Sequence, residues 1–129
     1  SARMLEQARA RGVYAGLRQG ELVAELQAEA PGSSDLALAA DVFVYVGDLA
    51  PVVQALARVL RPGGWVAFSV ESAADAGYRL QPTGRYAHSA GYIEVCWSGA
   101  GFRECSRTSV TLRVEQGQPV AGMLWVFRL

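Results

Sequence analysis

The sequence predicts an α/β domain whose sheet is mostly parallel and ends in an antiparallel hairpin. Three observations carry that prediction. Asp35-Leu-Ala-Leu-Ala-Ala-Asp-Val-Phe-Val-Tyr-Val46 and Trp65–Val70 are apolar on successive residues, as strands covered on both faces are. Between them Leu49, Val52, Val53, Leu56, Val59 and Leu60 recur at three- and four-residue steps, the stripe of an amphipathic helix. Further on, Val110, Leu112 and Val114 alternate with Thr111 and Arg113, and Val120–Leu129 returns beyond the turn Gln116-Gly117-Gln118-Pro119.

The remaining elements follow in order. Ser1 caps a first helix bearing Met4, Leu5 and Ala8, which Gly12 ends. Val13–Leu17 reads as a short strand, and Leu22, Val23 and Leu26 form the stripe of a second helix from Glu21 to Ala28. Pro51 sits in the first turn of the 49–60 helix, where its missing N–H costs little, and Arg61-Pro62-Gly63-Gly64 stops that helix. Strand, helix and strand within about 35 residues make a βαβ unit with a right-handed crossover. Glu71–His88 is polar, irregular and long for a connection, as functional loops often are. Ser89 caps a last helix with Tyr92, Ile93, Cys96 and Trp97, closed by Gly99 and Gly101. Trp97 and Trp125 are expected in the core.

Composition bounds the function. The chain has 129 residues, long enough for one domain with a real core, and 51% of them are hydrophobic. Twelve basic residues balance twelve acidic ones, which argues against disorder and against a nucleic-acid binder. No apolar run is long enough for a membrane helix, and no secretory leader is visible, so a soluble, cytoplasmic protein is expected. Two cysteines and one histidine fit no familiar zinc spacing, and free thiols in a reducing compartment are the expected state of Cys96 and Cys105. The chain opens on Ser1 rather than Met, so it is expected to be a piece of something longer.

Four stretches, in order, resemble the second part of class I S-adenosylmethionine-dependent methyltransferases. Ser1-Ala-Arg-Met-Leu-Glu-Gln-Ala8 is similar to the "D-x-S-x-x-M-L-x-x-A" segment after that family's second strand, and Asp35–Asp41 to its fourth strand. Ala57-Arg-Val-Leu-Arg-Pro-Gly-Gly64 followed by Trp65-Val-Ala-Phe-Ser resembles the "R-x-L-x-P-G-G" lead-in to the fifth, and Ala100-Gly-Phe102 the "A-G-F" that opens the terminal hairpin. Tyr78–Ser89 resembles a bacterial group of such proteins, some with tetratricopeptide repeats upstream. The resemblance implies a Rossmann-like three-layer fold over residues 1–129, S-adenosylmethionine as cofactor, and methyl transfer to an unidentified acceptor. The family's first strand, its glycine-rich cofactor loop and the acid ending its second strand have no counterpart here. By resemblance the chain is thus an N-terminally truncated domain with half its cofactor pocket, and the isolated chain is not expected to be a strong enzyme. In the family sheet the missing strands lie between the third and fourth. Val13–Leu17 then has no neighbour, and the free edge of the fourth strand invites self-association.

Methyl transfer from a sulfonium needs alignment more than acid–base machinery, so the lack of a Ser/His/Asp set is no objection. Ligands of open α/β sheets bind beyond the carboxyl ends of the strands. By resemblance the cofactor-binding residues are Met4, Glu21, Leu22, Ala40 and Asp41, and the substrate-binding ones Tyr45, Glu71, Tyr86 and His88. No catalytic residue and no metal are assigned. Each has a plainer reading. Asp41 could be a buried carboxylate bonded to backbone, Glu21 a helix N-terminal acid, Met4 a core residue and His88 a solvated loop residue. Arg79 and Arg85 suit either an anionic substrate group or surface ion pairs. An α/β interaction domain that has lost cofactor binding is the other function class in play. A nicotinamide-binding protein fits worse, because no G-x-G-x-x-G is present and the terminal hairpin is foreign to it.

Overall fold

The computed structural model describes all residues, Ser1–Leu129. Four helices, α1 (Ala2–Arg11), α2 (Leu22–Ala28), α3 (Ala50–Val59) and α4 (Ala90–Gly99), accompany six strands. The strands are β1 (Ser34–Ala39), β2 (Leu60–Ser72), β3 (Tyr78–Leu80), β4 (Tyr86–His88), β5 (Arg103–Glu115) and β6 (Gln118–Arg128). The helix ends match the sequence cues. Ser1 Oγ accepts from Met4 N at the start of α1, Gly12 closes it with φ 64°, and Ser89 Oγ accepts from Tyr92 N at the start of α4.

β2 is the axis of the sheet. One of its edges takes β1 and then β4, both parallel, while the other takes β6, antiparallel. β5 pairs with β6 and β3 with β4, both antiparallel. The sheet is mixed, parallel along β1, β2 and β4 and closing in the antiparallel hairpin β5–β6. The stretch read as an irregular connection from Glu71 to His88 holds the small hairpin β3–β4, whose three-residue strands are too short to show a period.

The core lies between β2, β6 and the pair α3–α4. Trp97 stacks on Phe68 at 4.6 Å between centroids and on Phe127 at 5.3 Å, with Phe102 edge-on at 5.0 Å. Val52, Val53, Leu56 and Val59 of α3 are buried against the same cluster, which also holds Trp125. Those four residues and five rings bury most of their surface, and each ring is worth several CH2 groups of transfer free energy.

Three expectations are corrected. The run Asp35–Val46 is not one strand: β1 ends at Ala39, Asp41 turns the chain at φ 55°, and Phe43–Tyr45 is a 3-10 turn. Nor is β1 covered on both faces. Leu36 is 54% and Leu38 72% exposed, and with Trp65 and Leu124 they share the sheet face opposite the core. Val13–Leu17 forms no strand, because it carries three glycines around it and meets no strand edge to pair with.

Candidate functional site

β1 and β2 run parallel, so their carboxyl ends lie side by side. Asp41 follows one and Glu71 closes the other. Asp41 holds a left-handed conformation, which Asp and Asn tolerate better than other side chains, and its N–H donates to Ser69 Oγ on β2 at 3.1 Å. Ser69 thereby fixes the turn after β1 against the neighbouring strand. The Asp41 carboxylate is largely exposed, so the reading of it as a buried acid bonded to backbone is corrected.

Glu71 is only 4% exposed. Its partner is Arg113 of β5, whose Nη2 lies 2.8 Å from Glu71 Oε2, while Gln81 Nε2 donates weakly to Oε1 at 3.4 Å. Neither Glu71 Oε2 nor Arg113 Nη2 has an aligned hydrogen bond, so this contact is chiefly coulombic. Arg113 also reaches Asp41 Oδ1 through Nη1 at 3.2 Å and Glu115 Oε1 through Nε at 2.7 Å. Glu115 in turn pairs with Arg85. Hydrogen bonding from Arg113, aided by the charge of Arg85, lowers the Glu115 carboxyl, and a side-chain hydrogen bond with Tyr45, followed by Glu115, raises Arg85. Asp41, Glu71 and Arg85, three residues that the sequence points to, thus meet through two that it does not, Arg113 and Glu115.

A second cluster adjoins the first. His88 is 1% exposed, its Nε2 is 3.0 Å from Gly47 O, and its Nδ1 has no partner. Tyr92 stacks beside it at 5.8 Å and Tyr78 tilts over it at 6.2 Å. Burial lowers the His88 pKa against the backbone hydrogen bonds that raise it, and burial raises both Tyr92 and Cys96. Tyr92 Oη takes Leu49 N at 2.8 Å and contacts Asp48 Oδ1 at 3.2 Å, which ties α4 to the start of α3. Gly47 has to be glycine here, since a Cβ would come within 2.7 Å of Tyr86 and 2.9 Å of Tyr78.

The structure therefore sorts the remaining sequence expectations. His88 is neither a solvated loop residue nor open to a ligand; it packs under the tyrosines. Tyr45 is 64% exposed and Tyr86 half-buried, both at the rim. Glu21 caps α2, its carboxylate accepting from Val23 N at 3.0 Å and Ala24 N at 2.9 Å, and these bonds lower its pKa. That is the helix-terminal role, and no third strand precedes it. Met4 is exposed on α1 and so is no core residue. Leu22 lines an apolar cleft of about 390 Å³ between α2, β1 and α3, whereas Ala40 borders a different hollow with Leu38, Ala67 and Leu124. The five residues assigned to a cofactor are thus not gathered into one site. Arg79 pairs with the exposed Asp75.

The fold that carries these residues has known counterparts. Residues 1–68 match the family described as Methyltransferase domain. The chain belongs to that family. As a methyltransferase domain it is 40% identical over 68 residues to a ubiquinone biosynthesis O-methyltransferase of Bordetella pertussis, covering 50% of this chain and 28% of that one. A protein of the same name from Bordetella bronchiseptica is 28% identical over 130 residues, 90% of this chain and 54% of its own. The methyltransferase domain described here spans at most about half the length of these curated relatives. Its fold matches an S-adenosylmethionine-dependent methyltransferase from Mesorhizobium loti, with TM-score 0.70 at 21% identity over 100% of this chain and 77% of the other. No helix is long and apolar enough to cross a membrane.

Proposed function

We propose that this domain contributes one wall of a methyl-donor pocket and takes part in S-adenosylmethionine-dependent methyl transfer to an oxygen acceptor. The observation that carries the reading is the pair Asp41 and Glu71 at the carboxyl ends of β1 and β2, the place where open α/β sheets bind ligands. The family supports the donor, and the names of the O-methyltransferase relatives support the oxygen acceptor.

The residues at the strand ends suit such a donor. Asp41 offers an open carboxylate, and Ala40 lies beside it on an apolar hollow. When bound, the cofactor supplies an electrophilic methyl group on a sulfonium. Asp41 would hold its positively charged portion. Tyr45 and Tyr86 form the rim against which an acceptor is oriented and water excluded. His88 acts from below, by fixing Gly47 and the tyrosines.

The test is a calorimetric titration of S-adenosylhomocysteine into this chain and into one carrying a glycine-rich strand–loop–helix ahead of Ser1. Binding to either, lost in Asp41→Asn, is expected; binding to neither overturns the reading. A second reading, an interaction domain without cofactor, is favoured by the exposed face of Leu36, Leu38, Trp65 and Leu124, and gains from that negative result.

A further inference from the structure

Arg113 is the one side chain that touches both strand-end carboxylates, and its reach has a specific origin. β5 and Glu71 are separated by β6, so a regular strand would keep a β5 side chain away from β2. Thr111 pairs with Ala121 and Arg113 with Val120, which leaves Leu112 as an extra residue. A bulge of this kind re-aims the side chains beside it. The partner strand makes room: Gly122 is paired with Glu71 on one side and Val110 on the other, and Leu112 lies over it where a Cβ would be only 2.4 Å away. Leu112 takes the space that Gly122 leaves, and Arg113 beside it crosses β6, where its three nitrogens meet Asp41, Glu71 and Glu115.

We propose that Arg113 is a positioning residue: it sets the orientation of the Asp41 carboxylate and of the turn after β1, by way of Glu71 and Glu115, which anchor its guanidinium. The planar fork is what the geometry uses. One face of it is held by Glu115 through Nε, one nitrogen by the buried Glu71, and the remaining one is presented to the exposed Asp41. A lysine supplies one point charge and cannot hold three carboxylates in fixed directions. The inference takes Asp41 as the ligand-facing residue proposed above, but its test also reads the turn itself.

The experiment compares wild type, Arg113→Lys, Arg113→Met and the double variant Arg113→Met with Glu71→Gln, which removes the unpaired buried carboxylate where the single variant folds poorly. Amide hydrogen exchange is followed by NMR at Asp41, whose N–H bonds Ser69, against Phe68 in the adjoining core strand. In the double variant Asp41 is expected to exchange about tenfold faster relative to Phe68, the scale of one lost charge-assisted bond. Arg113→Lys is expected to keep the core protected yet still loosen Asp41. S-adenosylhomocysteine affinity, measured on the same proteins, falls in the same order. Wild-type exchange at Asp41 in the double variant, or full restoration of it by lysine, overturns the proposal. If wild type binds no S-adenosylhomocysteine while Asp41 loosens as expected, the positioning role stands and the donor reading falls.

Discussion

Arg113 and Glu71 face each other at 2.8 Å although a whole strand, β6, runs between theirs. Glu71 is buried, and Arg113 is the cation that faces it. Breaking such a pair from one side typically costs about 3–5 kcal/mol, because the other charge stays behind unpaired. Arg113→Met is therefore expected to lose about 3 kcal/mol in urea melts, and adding Glu71→Gln should recover most of it. A double variant no more stable than the single one would show that the pair carries little.

Stability should fall in mild acid because of His88. Burial holds its folded pKa below the ordinary value, so the unfolded chain binds the proton more readily. The contribution is intact above the unfolded value, near pH 6.5, and is lost as pH drops from there through the folded value. Protonation would place a second N–H on the Nδ1 side, where no acceptor waits. The melting temperature of wild type is expected to decline between about pH 7 and pH 5, and that part of the decline should vanish in His88→Gln.

Gly122→Ala tests the crossing point. The new methyl would meet Leu112 at 2.4 Å and the Val70 carbonyl at 2.7 Å. Leu112 can move but the backbone cannot, so about 1–3 kcal/mol is expected to be lost, and Leu112→Ala should restore only part of it. Thermal unfolding of the three variants decides the matter.

How far the sequence reaches is clear at this point. Capping residues and apolar periodicity locate α1, α3, α4, β2 and the terminal hairpin, since each is long or sharply punctuated. β3 and β4 escape because Tyr78–Leu80 and Tyr86–His88 have no room for a pattern. The end of β1 is misread because Leu36, Leu38, Val42 and Phe43 look like one buried run, whereas the first two face solvent and Phe43 enters the core after a turn. For the site, Asp41 and Glu71 are legible as carboxylates at strand ends. Arg113 is not: its alternation with Val110, Leu112 and Val114 makes it look like an outward polar residue, and the bulge that redirects it leaves no mark except a glycine on the opposite strand.

The open edge and face of β1 lead to a fourth expectation. Leu36 and Leu38 stand beside unpaired backbone groups along Ser34–Ala39, the combination that promotes edge pairing. Self-association of wild type is expected in sedimentation velocity at rising concentration. Leu38→Lys should shift the distribution toward monomer without lowering the melting temperature. An unchanged distribution would clear this edge of any role.

β2 pairs with three strands at once, and two of them are distant in the chain. β1 comes before it and β6 last of all, so β1 finds no strand partner until β2 is made, whereas β6 can first pair with β5 as a hairpin. The β1–β2 pairing spans more chain and closes a longer loop than that hairpin does. On the ribosome, the leucines of β1 emerge ahead of everything that pairs with them, and the interval before β2 appears is when a chaperone or a neighbouring chain can capture them.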